Sequence, residues 1–93
     1  MTSAEHIDFY WRPGCPFCMF LERKLDRTGV PYRKLNIWED EQHAAFVRSV
    51  ADGNETVPTV LIGARALVNP GIDDVLATMR AETPELLPAD SPS

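Results

Sequence analysis

Cys15 and Cys18 are the only cysteines in a chain of 93 residues, and they stand as Cys15-Pro16-Phe17-Cys18 where an apolar run meets a helical pattern. His6-Ile7-Asp8-Phe9-Tyr10-Trp11 reads as a short strand and Arg12-Pro13-Gly14 as a turn, while Pro16 to Thr28 has helical spacing. A C-x-x-C where a strand hands over to a helix demands a strand–helix layout and points to redox chemistry. The start of the helix offers unpaired N–H groups and a partial positive charge, both of which favour a thiolate over a thiol.

The remaining pattern extends this unit. Leu21 and Leu25 lie four apart on one helix face with Cys18 three residues earlier, so Cys18 is expected to point inward. Gly29 and Pro31 stop the helix. Tyr32-Arg33-Lys34-Leu35-Asn36-Ile37 reads as a second strand, and so short a strand–helix–strand unit implies a right-handed crossover with parallel pairing. Glu39-Asp40-Glu41 opens a second helix, whose apolar stripe is read as Phe46, Val47 and Val50 and whose end is Asp52-Gly53-Asn54. Val57-Pro58-Thr59-Val60-Leu61-Ile62 then turns through Gly63-Ala64-Arg65 into Ala66-Leu67-Val68, an antiparallel hairpin. In the last helix Asn69 is placed as the cap, Pro70 at the first helical position, and Asp73 and Asp74 in the first turn. Ile72, Val75, Leu76 and Met79 form its stripe. The expected fold is α/β, of order βαβαββα, with a four-stranded mixed sheet flanked by helices. Residues 1–82 form the domain, and 83–93, with Pro84, Pro88 and Pro92, read as a flexible tail.

Composition narrows the setting. At 44% hydrophobic residues the chain is expected to fold as one domain. Two cysteines are too few for a disulfide-stapled secreted scaffold. The polar start Met1-Thr2-Ser3-Ala4-Glu5-His6 is not a signal peptide and no run is long enough to span a membrane, so the expected location is cytoplasmic. A net charge of −5 argues against a nucleic-acid partner. Arg12, Arg23, Lys24, Arg27, Arg33 and Lys34 nevertheless gather in the first part of the chain, near the cysteines in sequence.

Disulfide exchange needs an exposed, ionised thiol and a second thiol to resolve the mixed disulfide. Cys15, just ahead of the helix, suits the first role, and Cys18, one turn further in, suits the second. Pro16 lacks an N–H where none is required. Arg12 stands close enough in sequence to act as a fixed cation for the thiolate. A zinc site would need two further ligands, and only His6 and His43 remain as soft donors, so no metal is expected. Thr56-Val57-Pro58 marks a strand start where the missing N–H of proline is tolerated.

Taken in order, Arg12-Pro13-Gly14-Cys15-Pro16-Phe17-Cys18, Thr56-Val57-Pro58 and Gly71-Ile72-Asp73-Asp74 resemble the glutaredoxins across residues 6–82. The resemblance implies a thioredoxin-like fold, Cys15 as nucleophile, Cys18 as resolving thiol and a cis Pro58. It places a low-molecular-weight thiol against Arg12, Pro16, Phe17, Thr56, Val57, Pro58, Gly71, Ile72 and Asp73, as a co-substrate rather than a tightly bound cofactor. Pro70 stands where the family usually has the first glycine of a pair. Asn69-Pro70 together with Thr56-Val57-Pro58-Thr59-Val60 resembles the actinobacterial mycoredoxins, which reduce mixed disulfides of mycothiol; Pro16-Phe17 is closer to ordinary glutaredoxins. The implied partners are that thiol and protein mixed disulfides, acted on by a monomer. Two other branches are kept: an electron donor to a reductase such as ribonucleotide reductase, disfavoured because Leu67 to Ile72 replace the Trp-Ser-Gly-x-Arg-Pro run of that branch, and an iron–sulfur cluster carrier, disfavoured by Pro16.

Overall fold

The computed structural model describes residues 5–88 and builds the sheet outward from its first strand. β1 (Ile7–Trp11) buries Ile7, Phe9 and Tyr10, and so much apolar surface on both faces of one strand requires neighbours on either side. They are β2 (Tyr32–Asn36), which is parallel with Ile7 opposite Tyr32, and β3 (Thr59–Ile62), which is antiparallel with Phe9 opposite Val60. β4 (Arg65–Val68) closes the hairpin on β3, giving the order β2-β1-β3-β4. The expected element order and mixed sheet are therefore present. The pairing of β1 with β3, which places Val57 and Pro58 beside the cysteine turn, had no counterpart in the sequence reading.

Helices cover both faces. α1 (Pro16–Thr28) buries Cys18, Leu21 and Leu25 and ends at Gly29, whose φ of 77° is the left-handed cap that glycine adopts at no cost. Tyr32 ties β2 to this helix: its ring meets Phe9 edge-on at 5.8 Å, and its hydroxyl donates to Asp26 at 2.5 Å. α2 (Glu41–Val50) lies on the opposite face, where the Phe46 ring stacks on Tyr10 at 4.9 Å. Asp40 caps it by accepting from the Gln42 N–H. Its buried positions are Ala44 and Val47, and Ala51 follows. Val50, placed in the apolar stripe from sequence, is 36% exposed because it lies at the edge of the inward face, about 100° round the helix from Ala51.

α3 (Ile72–Glu82) returns to the face of α1 and buries Val75 and Met79. Its start differs from the expected one. Asn69 is not the cap: it takes a positive φ of 52° and donates its N–H to the Pro58 carbonyl at 2.7 Å. That bond stretches Asn69-Pro70 out of the helix and moves the N-cap to Gly71.

The domain also runs past residue 82. Thr83 is buried, its N–H donates to the Met79 carbonyl, Pro84–Leu86 form a 3₁₀ turn, and Leu86 and Leu87 pack on the core. Pro84, read as a mark of a loose tail, instead follows the end of α3 and opens the 3₁₀ turn. Residues 89–93 of that tail lie outside the described ones. No helix among the described residues is long and apolar enough to cross a membrane.

Truncation after Glu82 is expected to lower stability by about 2 kcal/mol, the value of part-burying two leucines. Urea unfolding of the reduced protein measures it, and an unchanged midpoint would show that the Leu86–Leu87 packing contributes nothing.

Candidate active site

Cys15 occupies the N-cap of α1, with extended backbone at φ −104° and ψ 105°. The turn before it reverses at Gly14, whose φ is 74°. A serine or aspartate oxygen usually accepts from the first-turn N–H groups at this position. Here the Cys15 sulfur does so, receiving the Cys18 N–H at 3.3 Å. Pro16 follows at the first helical position, where a missing donor costs nothing. The Cys15 thiol also donates across the sheet to the Val57 carbonyl at 3.6 Å. The Val57–Pro58 bond is cis. Thr59 holds this corner by donating its hydroxyl to the Thr56 carbonyl at 2.8 Å.

Both thiols are free and both are buried. For Cys18 this matches the inward direction read from helical spacing. For Cys15 it corrects the expectation of an exposed sulfur: only 3% of the residue is accessible, because the cap bond and the Val57 carbonyl draw the side chain against the protein. The neighbouring Phe17 is 63% exposed. Burial pushes the Cys18 thiol up to about 12, with the neighbouring Cys15 sulfur adding to the shift and Arg12 opposing it. Cys18 therefore keeps its proton at neutral pH.

A groove of about 220 Å³ opens between α1 and the approach to α3, lined by Phe17, Phe20, Leu21, Lys24, Asn69, Pro70, Gly71 and Ile72. It unites three residues anticipated from sequence, Phe17, Gly71 and Ile72. Phe20 and Lys24 were not anticipated, and the i, i+3, i+7 spacing of Phe17, Phe20 and Lys24 was the available signal. Asp73 and Asp74 separate in role: Asp74 reaches back to accept the Gly71 N–H at 3.4 Å, while Asp73 is exposed and makes no hydrogen bond among the described residues. Arg12, Pro16, Thr56, Val57, Pro58 and Asp73 do not line this groove, and neither do Cys15 and Cys18. The Arg12 guanidinium lies 5.7 Å from the centre of the exposed Trp38 ring and donates to the Pro13 carbonyl at 3.1 Å. No cluster of three metal-ligating side chains occurs among the described residues.

A vicinal dithiol at a helix N-terminus, against a cis-proline corner, defines a thiol–disulfide oxidoreductase on a thioredoxin-like fold. The crystal structure of a glutaredoxin from Archaeoglobus fulgidus superimposes with a TM-score of 0.68, covering 81% of this chain and 86% of that one at 22% identity. The family model for glutaredoxin matches residues 7–67. Mycoredoxin 1 of Corynebacterium glutamicum is 36% identical over 79 residues, which is 83% of this chain and 96% of that protein. A glutaredoxin-like protein of Mycobacterium tuberculosis is 34% identical over 80 residues, covering 85% and 93% of the two chains. The chain belongs to the glutaredoxin family.

The raised Cys18 has a thermodynamic consequence. The folded chain holds this proton more tightly than the unfolded chain, so between 9.0 and about 12 unfolding releases it and stability falls as pH rises. Below that window the folded state bears no such loss. Tyr10 and Tyr32, both raised chiefly by burial, act in the same direction in either redox state. The unfolding free energy of the dithiol form should therefore fall relative to that of the disulfide form across this window, and a pH-independent difference between the two would contradict the burial of Cys18.

Proposed function

We propose that the chain reduces mixed disulfides between proteins and a low-molecular-weight thiol, with mycothiol as the favoured carrier and glutathione as the alternative. The observation that carries the reading is the asymmetry of the dithiol. Cys15 has its sulfur on a helix N–H, a bond that strengthens as the sulfur gains negative charge. Cys18 is held protonated by burial. One sulfur is thereby equipped to attack and the other to wait.

In the proposed cycle the Cys15 thiolate attacks the carrier sulfur of a protein–carrier disulfide. The protein leaves as a thiolate, and a Cys15–carrier disulfide forms. A second carrier thiolate then attacks the carrier sulfur of that adduct, giving the symmetrical carrier disulfide and restoring the Cys15 thiolate. Alternatively Cys18 loses its proton and attacks Cys15, expelling the carrier thiol and leaving a Cys15–Cys18 disulfide that two carrier thiols must reduce. The retained proton on Cys18 makes the first route the faster one near neutrality, since only a thiolate attacks.

The remaining assignments belong to the same proposal. Val57 pairs through its backbone with the substrate around the reacting sulfur, between Thr56 and Pro58. Phe17, beside Pro16, forms an apolar wall for the carrier, and Gly71 and Ile72 receive the far end of it through backbone at the start of α3. Asp73, free of the capping work done by Asp74, is available to accept hydrogen bonds from the carrier. Arg12, held against Trp38, supplies the cation nearest in sequence to the site. The protein acts as a cytoplasmic monomer. The mycothiol preference is supported by the mycoredoxin relative and by Pro70, which takes the place of the first glycine of the usual pair and with Asn69 lines the groove.

Cys15→Ser puts a hydroxyl oxygen in place of the capping sulfur and so keeps the helix start, so its expected loss of turnover, at least about a hundredfold, reports the nucleophile alone. Cys18→Ser is expected to retain most turnover on a peptide mixed disulfide. Equal inactivity of the two variants would exclude the route through a second carrier thiol.

Steady-state reduction of one peptide disulfide with mycothiol and with glutathione decides the carrier. A kcat/KM at least about tenfold higher with mycothiol, or about 1.4 kcal/mol of transition-state binding, is expected, and the reverse preference would overturn it.

A further inference from the structure

Charge on α1 is segregated by face. Its two acidic residues are engaged with β2: Glu22 pairs with Lys34 at 3.1 Å and Asp26 accepts from Tyr32. Arg23, Lys24 and Arg27 share the exposed side, and none has a carboxylate within 4.0 Å among the described residues. Three adjacent unpaired cations are notable in a chain of net charge −5. They surround an exposed aromatic ring: Phe20, Arg23, Lys24 and Arg27 line a groove of about 300 Å³, and Phe20 is 56% exposed. This groove meets the one beside Phe17 at Phe20 and Lys24, so a continuous surface leads from the helix start to Arg27.

We propose that this face of α1 is a docking ledge for the protein substrate, and that it takes an acidic segment carrying an apolar side chain. The proposal rests on the redox reading above and adds the chemistry of the macromolecular partner to it. The apolar side chain covers Phe20, which is otherwise left in water, and the partner's carboxylates meet Arg23 and Arg27. The carrier keeps the neighbouring groove. At 1.5 Å per helical residue, Arg23 and Arg27 lie roughly 12–18 Å along α1 from Cys15. An extended peptide covers that distance in about four to six residues. The acidic segment therefore sits about that far from the partner's reacting cysteine. A second copy of this chain is the poorer occupant, because its own net charge is −5 without an acidic run placed so near a cysteine.

Three peptides test this, identical except for a cluster about five residues from a single cysteine: two glutamates flanking a leucine, two glutamines, or two lysines. Each carries thionitrobenzoate on its cysteine, and its release by the reduced protein is followed. The acidic peptide should react at least about tenfold faster than the neutral one at low salt, with the advantage lost as ionic strength rises. Arg23→Glu/Arg27→Glu should abolish the advantage and leave the neutral peptide's rate unchanged, which also certifies folding. The charge-matched Arg65→Glu/Arg80→Glu should retain it. Fluorescence anisotropy of cysteine-free labelled peptides reads docking without chemistry, so failure of the redox reading, seen as no release from any peptide, is distinguishable from failure of the ledge. Equal rates for the three peptides would overturn the proposal. So would equal loss in both double variants, a salt-insensitive preference, self-association through this face, or equally tight binding of an oligonucleotide of the same charge.

Discussion

The hydrogen bond from the Cys18 N–H to the Cys15 sulfur is the contact on which the site depends. A thiol is a weak acceptor and a thiolate a strong one, so using sulfur as a helix cap couples the start of α1 to ionisation of that sulfur. The coupling holds only if Cys15 stays in extended conformation just ahead of the helix. Gly14 supplies the reversal, Pro16 enters the helix without needing a partner, and Leu21 and Leu25 fix the helix on the sheet. β1, paired on both sides, gives the turn a rigid base. The same arrangement brings the Val57 carbonyl to the sulfur from the opposite side.

Much of this was legible because the deciding signals are local. The 3.6-residue spacing of Cys18, Leu21 and Leu25 gave the inward face of α1, and Asp40 capped α2 in the region its acidic run marked. The hairpin of β3 and β4 was evident from β-rich runs flanking Gly63. Phe17, Gly71 and Ile72, placed by resemblance, do converge on one groove.

The misreadings share a cause, which is that long-range bonds overrode a local preference. Asn69 is a good cap by type, yet its bond to Pro58 prolongs the β3–β4 hairpin and holds it at a positive φ of 52°, not the extended conformation of a cap, so the helix starts later at Gly71. Pro84 and Pro88 suggested a loose end, yet buried Thr83 and the packing of Leu86 and Leu87 extend the domain. Cys15 was expected to face water because the helix start does. The pull of Val57, a residue 42 positions away, covers it instead. None of these bonds leaves a periodic trace in the chain.

The burial of Cys15 alters what recognition must achieve. A cysteine with 3% accessibility is not met by random collision, so substrates are selected by what they contact while approaching it. Around it the chain leaves large side chains exposed, Phe17 and Phe20 on α1 and Trp38 beneath Arg12. Such aromatic surface in water is unfavourable for an isolated chain and favourable once covered. α1 therefore divides its circumference three ways: Cys18, Leu21 and Leu25 toward the core, Glu22 and Asp26 toward β2, and Phe17, Phe20, Arg23 and Arg27 toward whatever approaches. The helix that positions Cys15 also presents the surface nearest to it. In the proposed reaction, binding of substrate and attack by sulfur thus rest on one rigid element rather than on a separate loop.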